Sequence, residues 1–311
     1  MGLFSFLTVC MNPTLQKTLR FVSIQPDRVN RTGDYRFDVA GKGVNVCRVL
    51  TQLGKKSLHL TQLGGYLRPL FLKLCAGDGI AIKWVESKSA VRFCYTLVDE
   101  HTGSVTELVE ESEPVGEGTE KRLLKAYIEA LSASNGTVII SGTMAAGFSD
   151  TLIPAMVFRA KKRGRQVILD IRGRDLLNSL PLGPDLIKPN LLEFAETFIP
   201  GMVREGKFCG EEGEIRAQVQ EICRSLCEKY HTRIVLTRGI RPVWLAEGES
   251  FREFPVPPLE PVNTTGSGDA FTAGLASVLS EGGTLEEAAA EGVRCGGLNA
   301  GLLKIGSILA S

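Results

Sequence analysis

Short apolar runs alternate along this chain with longer segments whose apolar residues recur every three to four positions. Between Thr119 and Ser134, the residues Leu123, Leu124, Tyr127, Ile128 and Leu131 fall on one side of a helix, which predicts an amphipathic helix there. A strand-like run from Thr137 to Ile140 follows it. Asp150 to Arg163 carries Leu152, Ile153, Met156, Val157 and Ala160 at helical spacing and leads into an apolar run from Gln166 to Asp170. The next short run is Leu186 to Lys188. Glu214 to Tyr230 predicts a helix with Ile215, Val219, Ile222 and Leu226 facing inward, and Arg233 to Thr237 predicts a buried strand. Two further helices are predicted near Ala270 to Ser280 and Leu285 to Asn299. Strands of this kind alternating with helices imply an α/β fold, a mostly parallel central sheet with helices on both faces.

Two regions break the rhythm. Thr18 to Val39 reads as extended segments with turns at Pro26-Asp27 and Gly33-Asp34. Arg92 to Val98 alternates Phe93, Tyr95 and Leu97 with Cys94, Thr96 and Val98, then turns through Asp99–Gly103 into Ser104 to Val109, a hairpin pattern. Together they predict a small antiparallel sheet projecting from the main body. The apolar stretch Met1 to Cys10 lacks a basic n-region and a small-residue cleavage site, and reads as the first buried strand. With no repeat and no linker, residues 1–311 are expected to form one domain.

Charge and composition narrow the function classes. Lys and Arg number 36 against 35 Asp and Glu, a net charge of +1, which argues against nucleic acid or an anionic membrane as a partner. No apolar run approaches the roughly 18 residues of a membrane span. The eight cysteines include no C-x-x-C pair, and scattered thiols in a chain of this size suit a reducing cytoplasm. Cys223, Cys227 and His231 lie at i, i+4 and i+8, but three groups stacked along one helix cannot surround a metal ion without a distant fourth ligand. They read as a helix stripe. Glycine, at 34 residues, exceeds the roughly 7 % of average proteins and directs attention to tight turns.

Two glycine motifs fail. Gly201 to Lys207 mimics a P-loop, yet Phe208 stands where a hydroxyl must reach Mg²⁺. Gly266-Ser267-Gly268 has Phe271 where a dinucleotide fingerprint needs a third glycine. Two others hold. In Asn263-Thr-Thr-Gly-Ser-Gly-Asp-Ala-Phe-Thr-Ala-Gly274, small residues open a helix with Asp269 in its first turn. The unpaired amides of a helix start, bared by Gly266 and Gly268, suit anionic oxygens. Asp269 beside them could take a proton from an alcohol while the amides stabilise a phosphoryl group in transit. Taken alone, Asp269 reads as a first-turn acid favoured by the helix dipole; the G-S-G before it and the matches below reverse that reading. In Val39-Ala-Gly-Lys-Gly-Val-Asn-Val-Cys-Arg-Val-Leu50, Gly41 to Gly43 precede a helix with Val46, Val49, Leu50 and Leu53 on one face, and add Lys42 and Asn45.

With Lys188-Pro-Asn-Leu-Leu-Glu193 between them, these segments resemble the PfkB/ribokinase-type carbohydrate kinases, in the branch of 1-phosphofructokinase and tagatose-6-phosphate kinase. The likeness runs nearly end to end. It takes in Asn12-Pro13, Val29-Asn-Arg31, Gly41-Lys-Gly-x-Asn45, Arg92, Thr106-Glu107, Ser141-Gly-Thr143, Lys188-Pro-Asn190, Thr237-x-Gly239 and the G-S-G-D loop. The resemblance implies a ribokinase-like fold with a β-sheet lid formed by about residues 14–39 and 88–110, which closes to exclude water. It implies Asp269 as catalytic base and Gly266, Ser267 and Gly268 as the anion hole. It implies Asn190 and Glu193 as organisers of Mg²⁺ through water, and Lys188, Thr237 and Gly239 facing the phosphates of ATP, with Asn299 near the adenine wall. Asn12, Gln16, Gly41, Gly43, Asn45 and Thr143 would line the sugar side, with Lys42 and Arg92 gripping the phosphate of a hexose phosphate. A homodimer through paired lids also follows from the resemblance.

This sequence departs from the family on the sugar side. Gln16 stands where the phosphofructokinases have Asp, and Ala40 replaces the first glycine of G-G-K-G. An amide can donate as well as accept but loses the charge-assisted strength of a carboxylate. The expected activity is transfer of the γ-phosphoryl of ATP to a primary hydroxyl of a hexose phosphate. A kinase of an unphosphorylated sugar or nucleoside, and a sugar-phosphate sensor without catalysis, are the alternatives. A nicotinamide oxidoreductase is a remote fourth, for want of the fingerprint glycine.

Overall fold

In the computed structural model, residues 4–310 are described; Met1 to Leu3, assigned from sequence to the first strand, lie outside them. Nine strands form the main sheet, in the spatial order Ser250–Phe254, Arg241–Glu247, Arg233–Arg238, Leu186–Ile187, Val167–Asp170, Ser134–Ser141, Phe4–Val9, Ser57–Leu63 and Ala81–Glu86. Seven run parallel, and the hairpin Arg241–Glu247/Ser250–Phe254 adds the antiparallel edge. Because successive side chains of a strand point to opposite faces, each central strand feeds two cores. Leu7, Ile140, Leu169, Ile187 and Ile234 pack with Leu123, Met156 and Val219 on one face. Their neighbours Phe6, Ile139, Ile168, Leu186 and Val235 pack with Val49, Leu275 and Ala288 on the other. The helices predicted from periodicity appear at Thr119–Ala133, Leu152–Lys162, Glu212–Tyr230, Ser267–Leu279 and Leu285–Ala300.

The strand Ser57–Leu63 escapes an apolar-period reading because its sequence is SLHLTQL, yet every residue in it is buried. Neighbours take up part of its polar groups: Thr8 Oγ1 meets His59 Nδ1 at 2.9 Å, and Gln62 donates to the Met11 carbonyl, while His59 Nε2 and Gln62 Oε1 are buried without a partner among the described residues. Burial pushes His59 down to about 3, so this histidine stays neutral inside the sheet.

A second, four-stranded sheet has the order Tyr35–Ala40, Thr14–Phe21, Arg92–Asp99, Ser104–Val109. Its outer pairs are antiparallel, but Thr14–Phe21 and Arg92–Asp99 pair parallel, with Gln16 opposite Cys94 and Thr18 opposite Thr96. The expectation of an antiparallel sheet is therefore corrected to a mixed one. Each central strand leaves the carboxyl edge of the main sheet, one after Phe4–Val9 and one after Ala81–Glu86, so both run outward in the same direction.

Strand order places the site. From Phe4–Val9 the chain first builds outward to Ser57–Leu63 and Ala81–Glu86, then returns to place Ser134–Ser141 on the other flank. The crevice beyond the carboxyl ends of Phe4–Val9 and Ser134–Ser141 is thus the topological switch point, where open α/β sheets bind ligands.

Candidate active site

Five strand ends and three helix starts converge on that crevice. Asn12 follows the first strand, Thr143 follows Ser134–Ser141, Asp170 ends its own strand, Lys188 follows Leu186–Ile187, and Thr237 lies near the end of Arg233–Arg238. The helices Lys42–Gln52, Leu191–Phe198 and Ser267–Leu279 begin there. Between them opens a cleft of about 1300 Å³, more than one small ligand needs. Of the residues predicted from sequence, all but Gly43 and Asn299 line it.

Gly266 caps the helix Ser267–Leu279 with φ of 82°, a conformation that a side chain resists. A Cβ at this position would also lie 2.5 Å from the backbone nitrogen of Gly306, so the loop is shaped for glycine twice over. The amides of Gly266 and Gly268 find no backbone acceptor among the described residues, leaving donors at the helix start. Asp269, 6 % exposed, receives a hydrogen bond from Asn45 Nδ2 to its Oδ2 at 2.8 Å. Burial pushes its carboxyl up to about 7; the charge of Asp170 adds to this, while Lys42, Lys188 and the Asn45 amide oppose it.

A second buried carboxylate organises the centre. Asp170 accepts from Thr272 Oγ1 at 3.1 Å and from Ser141 Oγ at 3.4 Å, and faces Lys42 Nζ at 3.4 Å and Lys188 Nζ at 3.6 Å. Burial alone would raise its carboxyl, but Lys188 and Lys42 together hold it below the ordinary carboxylate range. In the sequence Asp170 only ends an apolar run, and nothing there assigns it a role. The available signal was a lone acid closing the apolar run Val-Ile-Leu, at the edge where such sheets bind ligands. Lys188, 3 % exposed, also approaches within 4.0 Å of where a Cβ on Gly268 would sit, bringing its ammonium to the glycine loop.

Lys42 is placed differently from its expected role. Its ammonium contacts Glu193 Oε1 at 3.2 Å as well as Asp170, and despite desolvation these two acids, with Asp269, raise it above the ordinary lysine range. Arg92 opens the strand Arg92–Asp99 of the four-stranded sheet, where it donates to the Glu110 carbonyl while its Nε is buried without a partner among the described residues. Gln16, 3 % exposed, donates from Nε2 to Thr96 Oγ1 at 2.8 Å. Asn12 donates to Thr143 Oγ1 and keeps its own Oδ1 buried without a partner, while Gly41 caps the helix Lys42–Gln52. Asn45 is committed at both ends of its amide, to Asp269 and to Arg48.

Two expected positions are corrected. Gly43 is buried against Cys10 and His59 and supports the cleft from behind, with no room for a Cβ. Asn299 is fully buried, donating to the Thr265 carbonyl and Ser267 Oγ and accepting from the Ser307 amide. It braces the glycine loop, and the wall on that side is built by Val293, Gly297 and Leu298 with Val256 and Leu259. A buried side chain amide must find partners, and here one carbonyl, one hydroxyl and one backbone amide supply them.

Asn190 and Glu193 form a capping box at the start of Leu191–Phe198: Asn190 Oδ1 accepts from the Glu193 amide at 2.8 Å and Glu193 Oε2 from the Asn190 amide at 3.0 Å. Asn190 also bridges to Thr237, and Gly239 follows with φ of 64°. No group of three His, Cys, Asp or Glu among the described residues could hold a metal ion directly. Oxygen donors at the cleft wall suit a hydrated Mg²⁺ that keeps its waters and binds chiefly through phosphates.

A glycine-led helix start, a buried acid and two lysines meet at the switch point, an arrangement able to hold anionic oxygens beside a proton acceptor. The model of the pfkB family carbohydrate kinases matches residues 9–304. The chain belongs to that family. As a pfkB family member it is a carbohydrate kinase, and the family implies ATP and a divalent metal. Its fold is similar to the tetrameric inhibited form of phosphofructokinase-2 from Escherichia coli, at 23 % identity over 96 % of this chain and 94 % of that one, with a TM-score of 0.81. A possible 1-phosphofructokinase from Thermotoga maritima superposes with a TM-score of 0.84 at 22 % identity, covering 96 % of this chain and 92 % of that one. Ribokinase from the same organism is similar at 18 % identity and a TM-score of 0.72, over 99 % and 96 % of the two chains.

Proposed function

We propose that this kinase transfers the γ-phosphoryl group of ATP to a primary hydroxyl of a hexose phosphate, as a 1-phosphofructokinase-like enzyme. One observation carries the reading: Asp269 stands buried at the mouth of a glycine-opened helix, its carboxyl near neutrality, with Lys188 reaching the same loop. In the reaction the acceptor hydroxyl gives its proton to Asp269 as its oxygen bonds to the γ-phosphorus. The bond to the β,γ-bridging oxygen breaks and ADP departs. Charge on the transferring group is met by the Gly266 and Gly268 amides and by the lysines. Asn190 and Glu193 would hold Mg²⁺ through water, and the ion would screen the charge of the phosphates. Thr237 and Gly239 line the nucleotide side, and the four-stranded sheet acts as the lid. Replacing Asp269 by Asn should lower kcat by roughly 10²–10⁴-fold, measured as ADP release. Turnover near that of the native protein would remove Asp269 from its role, and no ADP release by the native protein would favour a sensor.

A neutral sugar or nucleoside acceptor is favoured by one feature: Lys42 is already neutralised by Asp170 and Glu193, which leaves Arg92 to grip an acceptor phosphate. Comparing KM for fructose 1-phosphate and fructose 6-phosphate with the free sugars decides between the two. Preference for the phosphates, by tenfold or more, corresponds to about 1.4 kcal/mol of differential binding and supports the first reading. We also propose a homodimer through the lids, supported by the exposed edge strand Ser104–Val109 with its half-exposed Leu108. The eight free cysteines suit a reducing compartment such as the cytoplasm, and no helix among the described residues is long and apolar enough to cross a membrane.

A further inference from the structure

One guanidinium lies at the heart of the molecule without touching any reacting group. Arg48, 1 % exposed, sits one helical turn beyond Asn45 in Lys42–Gln52. Its Nε donates to Asp78 Oδ2 at 2.7 Å, and the other oxygen of Asp78 accepts from Lys304 at 2.7 Å. One terminal nitrogen donates to Asn45 Oδ1 at 3.0 Å and to the carbonyls of Ile305 and Gly306, both at 3.2 Å. The other donates to the carbonyl of Val39, at the base of the lid strand Tyr35–Ala40. A buried charge persists only when paired and hydrogen-bonded, and Arg48 meets that condition with acceptors from four separate segments.

The consequence lies in the chemistry of donors. A guanidinium has five N–H groups and no acceptor, so the atom of Asn45 that faces it must be the carbonyl oxygen. The NH₂ end of the amide is then directed to Asp269 Oδ2. Were the amide reversed, its oxygen would confront the carboxylate, lone pair against lone pair. The polar chain from Asp78 through Arg48 and Asn45 to Asp269 therefore has a single sense.

We propose that Arg48 is a positioning residue for phosphoryl transfer: through Asn45 it presents a hydrogen-bond donor to Asp269, holding one carboxylate oxygen in place and leaving the other for the acceptor hydroxyl. The inference rests on Asp269 being the base. The other groups facing Asp269 are Lys42 at the start of the same helix, Asp170 and Lys188 at strand ends, and the Cys10 thiol. Arg48 itself is faced by Asp78 and by the thiols of Cys47 and Cys75.

The test titrates the Asp269 carboxyl by ¹³C NMR in the full chain, assigned with Asp269→Asn, alongside the pH profile of kcat/KM. Arg48→Lys keeps the positive charge and the Asp78 pair but loses the fork that reaches Asn45. Its Asp269 midpoint should rise by about one pH unit, the size expected for losing a hydrogen bond to a charged group. The acid limb of kcat/KM should move with it, a loss of about fivefold at pH 7 that recedes by pH 9. In Arg48→Lys/Asn45→Ala the midpoint should stay where Asn45→Ala alone puts it. A midpoint unmoved by Arg48→Lys, or shifts that simply add, overturns the proposal. If Arg48→Lys does not fold, Asn45→Ala decides: a midpoint equal to the native one overturns it as well. A midpoint that moves while the rate profile stays put instead overturns Asp269 as the base.

Discussion

As the proposed base, Asp269 meets two opposed demands: a base for an alcohol must be ionised near neutral pH, and a carboxylate with 6 % exposure resists ionising. The surroundings settle the conflict near neutrality, with burial and Asp170 on one side and Lys42, Lys188 and Asn45 on the other. Stability should record the same conflict. The folded carboxyl sits at about 7, above the roughly 3.9 of an unfolded chain, so folding takes up a proton between those values. Stability from this site is full below pH 4, is lost as pH rises through 7, and stays lost above. Asp269→Asn removes that dependence, so Tm of the variant relative to the native protein should be higher at pH 8 than at pH 5. A difference independent of pH would show that the carboxyl is not displaced. Asp269 itself was legible in the sequence, because the small residues before it announce a helix start. Asp170 was not, because an acid at the end of an apolar run has many ordinary explanations until two lysines are seen beside it.

Among the elements, Leu191–Phe198 shows how local structure and site chemistry share the same atoms. Asn190 and Glu193, which the family resemblance implies as organisers of Mg²⁺, have the spacing of a capping box, and the side chains make both reciprocal bonds. Only one oxygen of Glu193 serves the cap; the other is on Lys42. Asn190→Ala should cost about 1 kcal/mol of stability, the usual worth of an N-cap, seen as a Tm lowered by a few degrees. It should also raise KM for ATP with Mg²⁺, since Glu193 loses the bond that orders its helix start. A variant with native KM and lowered Tm would confine the pair to capping. The strand Ser57–Leu63 marks the limit of pattern reading. Four of its seven residues are polar, and only its neighbours in the sheet explain how Ser57, His59, Thr61 and Gln62 can all be buried.

At the scale of the whole molecule, the four-stranded sheet bears on the proposed assembly. Its strand Ser104–Val109 is an edge with Leu108 51 % exposed, and an unpaired strand edge invites a second copy. Sedimentation at micromolar concentration should show a dimer for the native protein and a monomer for Leu108→Lys; a native monomer would end the lid-pairing proposal. The amphipathic helices, the apolar strands between them and the glycine loops follow from the amino-acid order, because apolar spacing and backbone freedom are properties of neighbouring residues. The sense of the lid's central pair, the commitment of Lys42 to Asp170 and Glu193, and the use of Asn299 as a brace do not. They depend on which strand ends meet at the switch point, bringing residues 42, 170, 193 and 269 together. Charge interactions and hydrogen bonds act over a few ångströms of space, so only the folded chain decides which donors and acids share a neighbourhood.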